Sequence, residues 1–276
     1  MERREGLIDL VARTIKNIVP NCCGVTLGGS TAYGINDDKS DVEMYFYTYD
    51  KKPDLDILTI ALLKIGAKHK RSDAFLWDEQ PWGPHSFFLI EDIYFEVGYR
   101  NVDDIRSKIK YYMDGNVMPH QDFRDLGLGY LYGSLVASVC AEKCLYECAE
   151  IYELKKLAIA FPDSLYLSLK EEYLDTAKAF LNGKLLAAVE RQDVLFYEII
   201  ASRIIRSLYI MAFAKSKKHF PGDKWNERLL RKTEWIHKEQ FIKLINGHIM
   251  SCANSKDEMM KRRAYLVEAM ELLELM

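Results

Sequence analysis

Asp41 and Glu43 stand two residues apart at the head of a run, Val42-Glu43-Met44-Tyr45-Phe46-Tyr47-Thr48-Tyr49, that is rich in β-branched and aromatic types and reads as a strand. Alternation along a strand turns both carboxylates to one face. Side by side they repel, and a hard divalent cation with oxygen ligands relieves that repulsion. Val42, Met44 and Phe46 mark the strand as buried on at least one face, where unpaired acids are expensive. Ten residues separate Asp41 from the turn Gly28-Gly29-Ser30. This turn follows the short apolar strand 24–28 and brings bare backbone N–H groups and one hydroxyl to a point where phosphate oxygens can be held.

A third acid comes from elsewhere in the chain. Glu96 lies in Tyr94-Phe95-Glu96-Val97-Gly98-Tyr99, a stretch that otherwise reads as a core strand. A phosphate loop, two adjacent carboxylates and one more acid nearby suit metal-assisted transfer of a nucleotidyl group from a nucleoside triphosphate.

Gly28-Gly29-Ser30, the ten-residue spacer and Asp41-Val42-Glu43 resemble the signature of the polymerase-β-like nucleotidyltransferase superfamily. The Ser40-Asp41-Val42-Glu43 ending is similar to its antibiotic-modifying branch, which includes the kanamycin and lincosamide nucleotidyltransferases. Phe95-Glu96-Val97-Gly98-Tyr99-Arg100 and Phe220-Pro221-Gly222-Asp223-Lys224-Trp225 are similar to segments of uncharacterised relatives of that branch. The resemblance implies that Gly28, Gly29 and Ser30 bind the phosphates of a nucleoside triphosphate, with ATP the expected co-substrate. It implies magnesium on Asp41 and Glu43, with Glu96 as third ligand or general base. In some relatives the base comes from a helical domain, and here Asp193 and Glu198 are the available acids. Five residues apart on a helix they fall on different faces, so at most one points into a site. Glu at 43 and 96, where Asp is usual, sets each carboxylate about one methylene further out.

The elements that must position these groups divide in two. Helices are expected over 6–18, 54–66 and 102–113, and strands over 24–28, 42–49, 86–90 and 93–99, the last two joined by a tight Glu91-Asp92 turn. From about residue 123 the apolar spacing is helical, over 126–160 with a break, 164–182, 185–217, 223–232, 237–250 and 256–275. The expected fold is an α/β (α+β) nucleotidyltransferase domain with a mixed sheet, 1–120, followed by an all-α helical bundle, 121–276, that closes over substrate.

The 276 residues are 49% hydrophobic and 29% charged, enough for a sizeable core without staples. A net charge of −3 argues against a protein that grips long nucleic acid through its overall field, although a local tRNA contact stays open. No apolar run approaches the length of a membrane span, and the start of the chain lacks a secretory pattern, so a cytoplasmic location with reduced cysteines is expected. Cys140, Cys144 and Cys148 read as small hydrophobes on one helical stripe rather than a zinc site. The single histidines form no ligand pattern, with His85 and His120 the two placed to approach a cleft. Lys215, Lys217, Lys218, Lys224 and Arg228 read as a solvated helix end, and Arg100 as either a phosphate contact or an exposed strand end. Trp77, Trp82, Phe87 and Phe88 read as packing.

Three functions compete at this point. The first is transfer of an NMP from an NTP to a hydroxyl of a small molecule, an aminoglycoside- or lincosamide-like acceptor by resemblance. The second is nucleotidylation of tRNA or a protein partner. The third is a non-catalytic nucleotide-binding module, against which the intact carboxylates argue. The acceptor, the preferred base and the oligomeric state are not encoded in any local motif.

Overall fold

The computed structural model describes residues 2–50, 54–73, 83–119, 129–146, 148–250 and 253–275. His120, Trp77, Trp82 and Cys252 lie outside them. The chain forms two compact units, one from 1–111 and 135–160, the other from 112–134 and 161–276. The single boundary expected near residue 120 is therefore replaced by three crossings. The segment 135–160 returns to the first unit because part of it pairs into the sheet.

The first unit starts with α1 (Glu2–Ile18), β1 (Cys22–Leu27), a one-turn helix α2 (Gly29–Tyr33), β2 (Val42–Thr48) and α3 (Leu55–Lys64). β3 (Lys68–Asp73), β4 (His85–Ile90), β5 (Ile93–Asn101), α4 (Val102–Met113), α5 (Tyr132–Ala141), β6 (Lys143–Tyr146) and α6 (Ala149–Ile159) follow. The six strands form one mixed sheet in the order β3-β4-β5-β2-β1-β6, with β2 and β5 parallel and every other neighbour pair antiparallel. Glu91 and Asp92 both take positive φ, 45° and 70°, the conformation a two-residue hairpin turn requires. α3 starts as its sequence suggests: Asp54 accepts hydrogen bonds from the N–H groups of Asp56 and Ile57.

Period-two alternation gives the sheet two unlike faces. One carries Val25 and Leu27 of β1, Val42, Met44 and Phe46 of β2, Phe88 and Ile90 of β4, and Phe95, Val97 and Tyr99 of β5. The apolar stripe of α1 (Leu7, Ile8, Val11, Ala12, Ile15) and Leu58 and Leu62 of α3 complete this core. Each such side chain contributes about 1.5–3 kcal/mol when fully buried. The opposite face carries Glu43, Tyr45, Tyr47, Glu96, Gly98 and Arg100 and holds the polar chemistry.

Two strands were absent from the periodicity. β3, Lys-His-Lys-Arg-Ser-Asp, is polar throughout and forms through pairing with β4. β6 falls inside the expected 126–160 helix, where pairing with β1 overrides a helix-like composition. The expected cysteine stripe does not form, since 143–146 is extended. Cys144 is instead joined to Cys148 by a disulfide, which corrects the expectation that all thiols are reduced.

The second unit is helical: α7 (Asp163–Leu169), a π-helical stretch 170–175, α8 (Thr176–Asn182), α9 (Lys184–Arg191), α10 (Val194–Lys215), α11 (Asn226–Leu230), α12 (Lys238–Leu244), a second π-helical stretch 245–249, and α13 (Lys256–Glu274). The first three run on as the helix expected over 164–182. The expected 185–217 helix is broken at Gln192, which takes φ 54° before Asp193 caps α10. α13 opens on a capping box between Ser255 and Glu258. Among the described residues no helix is long and apolar enough to cross a membrane.

Candidate active site

β1 ends against β2, and the Gly28 N–H donates to the Glu43 carbonyl at 2.8 Å. Gly29 then takes φ +53° and starts α2, which Gly34 closes in the left-handed conformation. A side chain on Gly29 would overlap the Glu43 carboxylate, so glycine here lets that carboxylate lie against the turn. The Ser30 and Thr31 hydroxyls are buried within the turn, and neither has a hydrogen-bond partner among the described residues. Buried hydroxyls of this kind cost free energy unless a ligand or water satisfies them.

Asp41 precedes β2 and is exposed. Its loop is tied down from two sides. Within the loop, Ser40 Oγ donates to Asp37 Oδ1 at 2.9 Å and accepts from the Asp37 N–H. From α1, the Arg4 guanidinium donates to the carbonyls of Ser40 and Asp41 at 2.8 and 2.9 Å. Glu43 and Glu96 are register partners on the parallel strands β2 and β5, hence on one face of the sheet. Glu43 Oε2 accepts from the Tyr45 hydroxyl at 3.0 Å. Glu96 Oε1 lies 3.5 Å from Nε2 of the buried His85, whose Nδ1 donates to the Gly83 carbonyl at 2.9 Å. Among the described residues no three His, Cys, Asp or Glu side chains form a ready metal cage. Glu43 and Glu96 are adjacent, while Asp41 stands in a loop at the edge.

Magnesium is commonly held by one or two carboxylates, water and substrate phosphates rather than by an all-protein cage, and Glu43 and Glu96 supply two carboxylates on one face of the sheet. The buried, unsatisfied hydroxyls of Ser30 and Thr31 follow directly on Gly29, the position that lies against the Glu43 carboxylate.

Beneath the carboxylates lies a buried network that the sequence did not announce. Arg100 and Glu142 are 3% and 1% exposed and form an ion pair. Glu142 Oε2 also accepts from Thr26 Oγ1 at 2.7 Å and from the Tyr47 hydroxyl at 2.8 Å. Arg100 donates to the Tyr47 hydroxyl at 3.0 Å and to Ser138 Oγ at 3.0 Å. Burial opposes the Arg100 charge, but Glu142 beside it holds the pKa well above the ordinary value. Arg100 is thus neither an exposed strand end nor a free phosphate contact. Its partner Glu142 lies just outside β6, in a stretch read as helix, and no local signal could have marked it.

The acids considered on the helical unit have other work. Asp193 accepts from the Phe196 N–H as the N-cap of α10, and Glu198 pairs with Arg262. Of the basic cluster, Lys215 donates to the Leu275 carbonyl, Lys217 lies 3.4 Å from Asp163, and Arg228 stacks over Trp225.

No family model matches the chain, and no curated protein matches it by sequence. A solved structure described as a nucleotidyltransferase-like protein from Exiguobacterium sibiricum 255-15 is similar over 96% of this chain and 74% of that one, with 11% identity and a TM-score of 0.44.

Proposed function

We propose that the chain is a magnesium-dependent nucleotidyltransferase that moves an NMP, AMP from ATP in the first instance, to a hydroxyl of a small-molecule acceptor of the aminoglycoside or lincosamide kind. The observation that carries this reading is the packing of the Gly28-Gly29-Ser30 turn, with the unsatisfied hydroxyls of Ser30 and the following Thr31, against a Glu43 in register with Glu96.

In this reading Ser30 and Thr31 donate to phosphate oxygens of the triphosphate, and the missing side chain at Gly29 admits the carboxylate to the same place. Asp41 and Glu43 hold magnesium, which when bound offsets the charge that develops on the α-phosphate and the leaving pyrophosphate. Asp193 and Glu198 are engaged in a helix cap and an ion pair, which leaves Glu96 to accept the proton of the acceptor hydroxyl. That oxygen bonds to the α-phosphorus while the bond to pyrophosphate breaks.

The test is calorimetric titration of ATP with and without magnesium, on the wild type, Asp41→Asn and Glu43→Gln. Magnesium-dependent binding in the wild type that weakens at least about tenfold, or 1.4 kcal/mol, in either variant is the expected result. Absence of binding by the wild type, unrelieved by candidate acceptors, would sink the enzyme reading.

A further inference from the structure

Tyr45 connects the buried ion pair to the carboxylates. Its ring lies across the sheet between Gly28, just past the end of β1, and Gly98 of β5. A side chain on Gly28 would overlap one edge of the ring, and one on Gly98 would stand 2.7 Å from the other. The Arg100 guanidinium covers it, with Cζ 3.7 Å from the ring centroid. So clamped, the ring is 8% exposed and its hydroxyl reaches Glu43 Oε2.

We propose that Tyr45 is a positioning residue for Glu43. Its hydroxyl engages Oε2 and holds the carboxylate against the Gly29–Ser30 turn, and the Arg100–Glu142 pair holds the ring in the orientation this needs. The inference rests on the nucleotidyl-transfer reading. Outer partners that orient a ligating carboxylate typically change metal affinity by about 10–100-fold when removed.

The experiment follows Mn2+ binding by electron paramagnetic resonance in the presence of ATP. It compares wild type, Tyr45→Phe, Glu43→Gln and the double variant. Tyr45→Phe keeps the ring and its packing, and circular dichroism checks that each variant is folded. The expected result is Mn2+ binding weakened about tenfold by Tyr45→Phe, with metal-free ATP binding unchanged and no further loss when the substitution is added to Glu43→Gln. Wild-type affinity in Tyr45→Phe, or the same loss in both backgrounds, overturns the inference while leaving the transferase reading intact. A wild type that binds no Mn2+ overturns both.

Discussion

Gly29→Ala separates backbone strain from disturbance of the carboxylate. Gly29 and Gly66 both have positive φ, +53° and +90°. A side chain on Gly66 meets nothing within 4 Å, so Gly66→Ala carries the left-handed backbone cost alone, about 1–2 kcal/mol. At Gly29 the added methyl also lands on the Glu43 carboxylate and must drive it off the Tyr45 hydroxyl. A hydrogen bond to a charged group contributes about 1.5–3 kcal/mol, and half-burial of Glu43 puts this one at the lower end. Gly29→Ala should therefore cost about 3 kcal/mol in total. Urea unfolding followed by circular dichroism measures both variants against the wild type, and ATP–magnesium titration measures the site. Gly66→Ala should bind as the wild type does, and Gly29→Ala should bind at least about tenfold more weakly. Equal stability losses in the two variants, with binding intact in both, would show that Glu43 does not depend on a bare position 29.

Glu142→Ala leaves the Arg100 charge buried without its partner, and urea unfolding should register a loss of about 3–5 kcal/mol. A loss below about 1 kcal/mol would mean that water or another group reaches Arg100. Asp193→Ala should remove about 1 kcal/mol through the lost cap of α10 while ATP binding and nucleotidyl transfer stay at wild-type levels. Lost transfer with stability intact would return Asp193 to the role of general base.

Local chemistry made much of the first unit legible. The strand around Glu43 shows in its β-branched and aromatic residues, and the Glu91-Asp92 turn and the Asp54 cap show in residue types suited to those backbone geometries. β3 and β6 were hidden because a strand of lysines or a four-residue strand owes its conformation to the neighbour it pairs with. The break at Gln192 carried a signal, an Asp placed before an apolar run, that the long helical period masked.

The closeness of Gly29 to Glu43 is a property of one turn and the strand beside it, and the chain by itself suggested it through local spacing. Alternation along the chain predicts Asp41 and Glu43 on one side, but β2 begins only at Val42, and Asp41 stands in the loop before it. The pairing of Glu43 with Glu96 needed the parallel register of β2 and β5, which brings together residues more than fifty positions apart. The partner of Arg100 needed the return of 135–160 to the sheet, and the clamp on Tyr45 needed three strands in contact at once. Side-chain periodicity specifies a face, whereas partners on that face are chosen by which strands close against each other, and only the folded chain makes that choice.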